Sequence, residues 1–236
     1  MRSFIVMAMF TASLAHAGWR DYEEVRELRL DSNGIEALTI EAGAGSMDVA
    51  GVAGADEVRV VATIVIPNTG EDKALELIEK RMQLSLGEKA GTAVLKSDFK
   101  DGFMGWGADG AIHLEVTIPQ GMAVRIDDGS GSLDVTGTLG DVFIDDGSGS
   151  IDVSGVANVS IDDGSGSVDV LDASGDVSVV DGSGSISVRR VGGSVTIDDG
   201  SGSIRVSDVE HDLTIVDDGS GGLKISDVRG RVEQET

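Results

Sequence analysis

Aspartate recurs in this chain at a spacing that can do chemistry. Asp128, Asp146, Asp163, Asp181, Asp199 and Asp218 each stand just before a Gly-Ser-rich stretch, at intervals of 18, 17, 18, 18 and 19 residues. Two chemistries suit a carboxylate there. Its short reach lets it accept backbone N–H bonds one or two residues ahead, closing an Asx-turn. It also suits a calcium ion held between copies, with serine hydroxyls, backbone carbonyls and water as further oxygen ligands. Carboxylates stacked at the strand spacing of about 4.8 Å repel by roughly 1 kcal/mol per pair even at water-like dielectric. A bridging cation would remove that cost. Bare negative charge would be met equally well by glutamate, yet the acids from Ile126 to Val228 are nearly all aspartate. The preceding position is looser, with Val180 once replacing aspartate, and the acid after the turn is looser still: Asp134, Asp152, Asp169, then Ser187, Arg205 and Lys224. That last position falls between inward aliphatics and is expected to face solvent.

Other constellations are weaker. Gly105 to Gly110, "GWGADG", satisfies G-x-G-x-x-G, but a strand follows it where a dinucleotide site needs a helix. No G-x-S-x-G occurs, and His113 and His211 are isolated, so no catalytic residues are assigned. Arg189, Arg190 and Arg205 are placed to meet acids on neighbouring copies, which keeps a polysaccharide-acting enzyme as an alternative. One loop concentrates aromatic side chains: Phe99, Phe103 and Trp106 fall within "FKDGFMGWGADG". They suit either a cap over the end of the core or a partner-binding loop.

The repeat also dictates the elements that carry these residues. "IDDGSGSLDV" returns with small changes five more times. In each copy Val142-type and Ile144-type residues alternate with polar ones, and Ile151-type and Val153-type residues do the same after the turn. Period-2 alternation on both sides of "DDGSGS" means two short strands per copy, and the change of parity between Ile144 and Ile151 means a turn or bulge between them. About 18 residues leave no room for a crossover helix. A single copy cannot bury its apolar side, whereas stacked copies form aliphatic ladders. The expected fold is an all-β, parallel β-solenoid, right-handed by crossover chirality.

Residues 18 to 121 are expected to be a modified beginning of the same solenoid, and 122 to 236 its regular part. "LTIEAGAGSMDVAGV" has the shape of the repeat, and "VRVVATIVI" is a strand. "TGEDKALELIEKR" is a helix, with Thr69 and Asp72 at capping-box spacing and Leu75, Ile78 and Met82 on one face. "MQLSLGEKAGTAVLKS" alternates like a hairpin. Helix and hairpin together would shield the first rung from edge pairing.

Charge narrows the partners. Eighteen Lys and Arg against 42 Asp and Glu leave a formal −24, the wrong sign for a nucleic-acid phosphate backbone and the right one for cations, cationic peptides or basic surfaces. Cysteine is absent, which removes disulfides and thiolate metal sites. The N-terminus has a charged start at Arg2, an apolar run from Phe4 to Leu14 and a small-x-small signal at Ala15 to Ala17. This is the pattern of a secretory signal peptide over residues 1 to 17. No other run is long and apolar enough to be a membrane helix. The expectation is an exported protein, periplasmic or extracellular.

The "GSGSIDV" copies, preceded by a helix-containing segment and an "LEVTIP" strand, resemble a bacterial putative-adhesin domain family of unknown function. That family is related to the head domain of putative autotransporter adhesins. The resemblance spans roughly Glu36 to Val228. It implies an exported β-solenoid of the cell envelope, a non-enzymatic interaction or adhesin-like module with a glycan, protein or cationic peptide as partner, and it supplies no catalytic residues. An acidic sink for cationic peptides is a further alternative. No cofactor is expected apart from the candidate calcium. The calcium-binding nonapeptide β-roll matches less well, because aligning its glycines on Gly129 and Gly131 places Leu133 where its aspartate belongs.

Overall fold

The structure, a computed structural model, describes residues 5–7, 21–100 and 110–235. Its N-terminal elements are β1 (Ile5–Met7), β2 (Tyr22–Asp31), β3 (Ala37–Ala44), β4 (Met47–Val52), β5 (Glu57–Ile66), α1 (Glu71–Arg81), β6 (Met82–Lys89), β7 (Thr92–Phe99) and β8 (Ala111–Pro119). Then β9 (Ala123–Thr136) runs through a whole first copy. Strand pairs follow: β10 (Val142–Asp146) with β11 (Gly149–Val156), β12 (Val159–Asp163) with β13 (Gly166–Ala173), and β14 (Val177–Asp181) with β15 (Gly184–Val191). The last are β16 (Val195–Asp199) with β17 (Gly202–Val209), β18 (Leu213–Asp217) with β19 (Leu223–Val228), and β20 (Val232–Gln234).

Every pairing between successive copies is parallel, and all are in register except for one shift between β16 and β18. The first strand of each copy stacks on the next, Val142 on Val124 and Val159, and the second does likewise, Ile151 on Leu133 and Val168. Two sheets result, and β9 belongs to both. Between them lie the aliphatic ladders: Val142, Ile144, Ile151 and Val153 are at most 4% exposed, as are their counterparts in the next copies. Burial of each such side chain contributes about 1.5–3 kcal/mol, and β-branched residues suit the pleated, enclosed surface. The protein is a parallel β-solenoid.

The N-terminal strands enter the stack out of chain order. β3 and β4 form a rung on which β9 lies on one side, while β7 and β8 lie on the other. Antiparallel strands then cover this end: β6 pairs with β7, β5 with β8, and β2 with β5. β1 is a three-residue antiparallel strand on the outer edge of β2, Ile5 opposite Arg29.

The helix forms where expected but is held differently. Its N-cap is Gly70 with no side-chain cap, and Thr69 Oγ1 donates instead to the Pro67 carbonyl at 2.8 Å. No capping box exists. Its inward face is Ala74 and Ile78, while Leu75 is 42% exposed.

Candidate functional site

The alternation that buries Val142 and Ile144 continues for one more step, to Asp146. Five of the six repeated aspartates therefore point inward, at the corner where the chain passes from one sheet to the other. Asp128, Asp146, Asp163, Asp181 and Asp199 are between 0% and 5% exposed and stack in register through β9, β10, β12, β14 and β16. In four of them the carboxylate closes the Asx-turn. The N–H groups of Ser148, Ser165, Ser183 and Ser201 donate to Oδ1 of Asp146, Asp163, Asp181 and Asp199 at 2.9–3.3 Å. In all five, Oδ2 is buried with no hydrogen-bond partner.

Burial is the largest influence on each of the five and drives their pKa values up, Asp128 to about 7 and Asp181 to about 6. The next carboxylate in the column pushes the same way at Asp128 (from Asp146), Asp163 (from Asp146) and Asp181 (from Asp163 and Asp199). Turn N–H groups pull back only partly.

Asp218 does not join the column. The 19-residue interval inserts an extra residue, so that Ile197 pairs with Ile215 but Asp198 with Asp217, leaving Val216 as the bulge. Asp217 takes over the turn, accepting from the Gly219 N–H at 2.8 Å, while Asp218 Oδ2 accepts from Gln234 Nε2 at 3.2 Å. Among the described residues no three His, Cys, Asp or Glu side chains converge as a metal ligand set.

The acid after the turn faces outward as expected, and it continues into the N-terminal rungs. Glu115, Asp48, Asp134, Asp152 and Asp169 stand in register on successive strands β8, β4, β9, β11 and β13. Among the described residues only Asp169 of these five is ion-paired, by Arg189 at 2.9 Å. Asp134 has its pKa raised, chiefly by partial burial and then by Asp48 and Asp152. Beyond Asp169 the column continues as Ser187, Arg205 and Lys224, so it changes sign along the axis. Arg190 also reaches back one rung, to Asp172 at 2.6 Å.

Of the aromatic loop, Phe99 is half-buried at the end of β7, packed against the core. Phe103 and Trp106 lie outside the described residues. The end of β7 and the start of β8 stand at the corner where the later rungs turn. Sequence reasoning missed one pair there: Ser46 donates through its backbone N–H to His113 Nδ1 at 3.0 Å, and its Oγ lies 2.9 Å from the same nitrogen. The common register of Ser46 and His113, one residue before Met47 and Leu114, becomes visible only once β4 and β8 are known to be neighbours. One nitrogen takes both contacts from one residue, which anchors the imidazole at the rung corner. His211 is likewise used locally, against the Gly192 carbonyl at 3.0 Å.

No protein-family model matches the chain. No curated protein matches it in sequence. Several solved structures align with it along most of its length. One is a putative adhesin from Bacteroides fragilis, with a TM-score of 0.49 and 15% identity over 91% of this chain and 97% of that one. A putative lipid binding protein from Parabacteroides distasonis aligns with a TM-score of 0.42 and 16% identity, over 91% and 97% of the two chains. A putative adhesin from the same organism gives 0.39 and 12%, over 90% and 97%.

Proposed function

We propose that this chain is a non-enzymatic, exported interaction module of the cell envelope, adhesin-like in kind, which meets a cationic partner surface with its flat acidic face. The observation that carries this is the outward column Glu115, Asp48, Asp134, Asp152 and Asp169, in register on adjacent strands with one ion pair among the five. A rigid sheet holds those charges at the strand spacing, so a partner gains attraction without the cost of ordering them. His113, His211, Arg189 and Arg190 are committed to local contacts, and this favours binding over catalysis. Export rests on the segment Met1 to Ala17. Cleavage after Ala17 would remove β1, an edge strand, and leave every rung intact.

The test is binding of the full mature chain to cationic peptides and to an array of envelope glycans, at low and high salt. The expected result is cationic-peptide binding that weakens as salt rises and falls at least tenfold in the Asp134→Asn/Asp152→Asn double variant. Binding that ignores both salt and the double substitution would refute the acidic face as the contact.

A further inference from the structure

The inward aspartates present a problem that the turn does not solve. A carboxylate has two oxygens, and the Ser148-type N–H satisfies one. The other is enclosed and unpartnered in five consecutive rungs. Among the described residues no cationic side chain pairs with them. The charged groups beside the column are Asp127, Asp145, Asp162 and Asp198 on the same strands, and Asp217 and Asp218 at the far end, all of them acids. At the near end Lys96 is paired with Glu41, on strands beyond Asp128. Across the core the facing positions are aliphatic: Leu133, Ile151, Val168, Ile186 and Ile204.

The corner itself does not require the acid. In the rung of β3 and β4 the equivalent position is Ala42, in register with Asp128. Yet Gly45 there has φ +146°, within the +143° to +157° of Gly131, Gly149, Gly166, Gly184 and Gly202. One rung further, Ser97 of β7 occupies the place. A turn that forms over alanine leaves the aspartates another role.

We infer that the column is a proton-holding ladder: its enclosed carboxyl groups retain protons above the pH at which exposed aspartates lose theirs, and the cohesion of the stack depends on them. A retained proton makes each orphaned oxygen a potential donor and removes charge from an enclosed line of acids. The raised pKa values agree with that geometry. Their sign fixes the direction. A carboxyl that binds its proton more tightly folded than unfolded contributes stability that is complete below the unfolded pKa of about 3.9. That contribution is lost as pH rises through the folded values of about 6 and about 7. Ordinary exposed acids are largely ionised by about pH 5, so the ladder dominates the carboxyl titration above it, with Asp134 as a lesser contributor.

The experiment uses the full mature chain with chelator present. Thermal melts from about pH 5 to about pH 8 should fall by roughly 10 °C, and a His113→Gln/His211→Gln background should keep that slope. Asp128→Asn/Asp181→Asn, which leaves an acceptor at Oδ1 and a fixed donor in place of Oδ2, should flatten it. Infrared difference spectra of the unmutated protein provide a readout that needs no variant: a carboxylic-acid carbonyl band persisting at about pH 6, well above the ordinary aspartate range. A melting temperature that stays level or rises across the window overturns the inference. So does the absence of the acid band at about pH 6. If that band is absent while calcium raises the melting temperature, metal neutralises the column and protons do not.

Discussion

Adding one methyl group at Gly166 should break the stack locally. The glycine sits at the corner with φ +150°, and a Cβ there would lie 2.6 Å from the carbonyl carbon of Gly149 on the neighbouring rung and closer still to its oxygen. Ordinary contact begins at 3.4 Å, so the rungs would have to part by at least 0.8 Å. The hydrogen bonds from the Gly149 N–H to the Ser165 carbonyl and from the Gly164 N–H to the Asp146 carbonyl, 2.9 Å each, would stretch beyond useful range. Two enclosed bonds lost at about 1–3 kcal/mol each, with roughly 1–2 kcal/mol of backbone strain, give about 5 kcal/mol for Gly166→Ala. In a domain of this size that lowers the melting temperature by roughly 10–20 °C. Circular dichroism melts measure it, and hydrogen exchange should localise the loosening to β11, β13 and β15. The control is Gly222→Ala, where an added Cβ meets nothing within 4 Å and little change is expected. If the two variants melt within about 2 °C of each other, the stacked-glycine argument is wrong.

Two other substitutions probe the same packing. Val153→Asp puts a carboxylate into an aliphatic ladder, where the native side chain is 1% exposed and stacks between Val135 and Val170. It should cost about 3–5 kcal/mol in urea unfolding, and a loss under about 1 kcal/mol would contradict the ladder. Asp208 holds φ +58° at a turn where the earlier copies have Gly155 and Gly137 at +66° and +63°. Asp208→Gly should therefore stabilise by about 0.5 kcal/mol, seen as a melting temperature about 1–2 °C higher, and a fall would show that the left-handed turn carries no strain.

The architecture was legible because period 2 and a constant interval state strand, corner and stack together. The direction of the repeated aspartate was legible too, by the same rule: Asp146 is two residues beyond Ile144, on the inward phase, and Asp152 sits between inward Ile151 and Val153. Its acidity argues the other way, because a buried unpaired carboxylate is rare. The N-terminal cover was harder. β2 buries Glu24 and Leu28, and Glu24 is held by the Tyr22 hydroxyl at 3.2 Å and by Arg26 Nε at 2.7 Å. A face built from ion pairs has no hydrophobic alternation to reveal it. The helix start failed for a local reason, since Thr69 turns back to the Pro67 carbonyl and Gly70 takes the cap.

Departures from the repeat carry more functional information than the repeat does. An identical residue in every rung is explained by what every rung must do, which is stack. The outward column is not uniform: acid in Glu115, Asp48, Asp134, Asp152 and Asp169, neutral at Ser187, basic at Arg205 and Lys224. Stacking asks nothing of an outward side chain, so the change of sign follows some other demand. It confines the uncompensated acid to the N-terminal half of the stack, where Arg189 and Asp169 form the boundary. A partner drawn by charge would therefore dock with a fixed polarity along the axis, toward the capped end and away from Arg205 and Lys224.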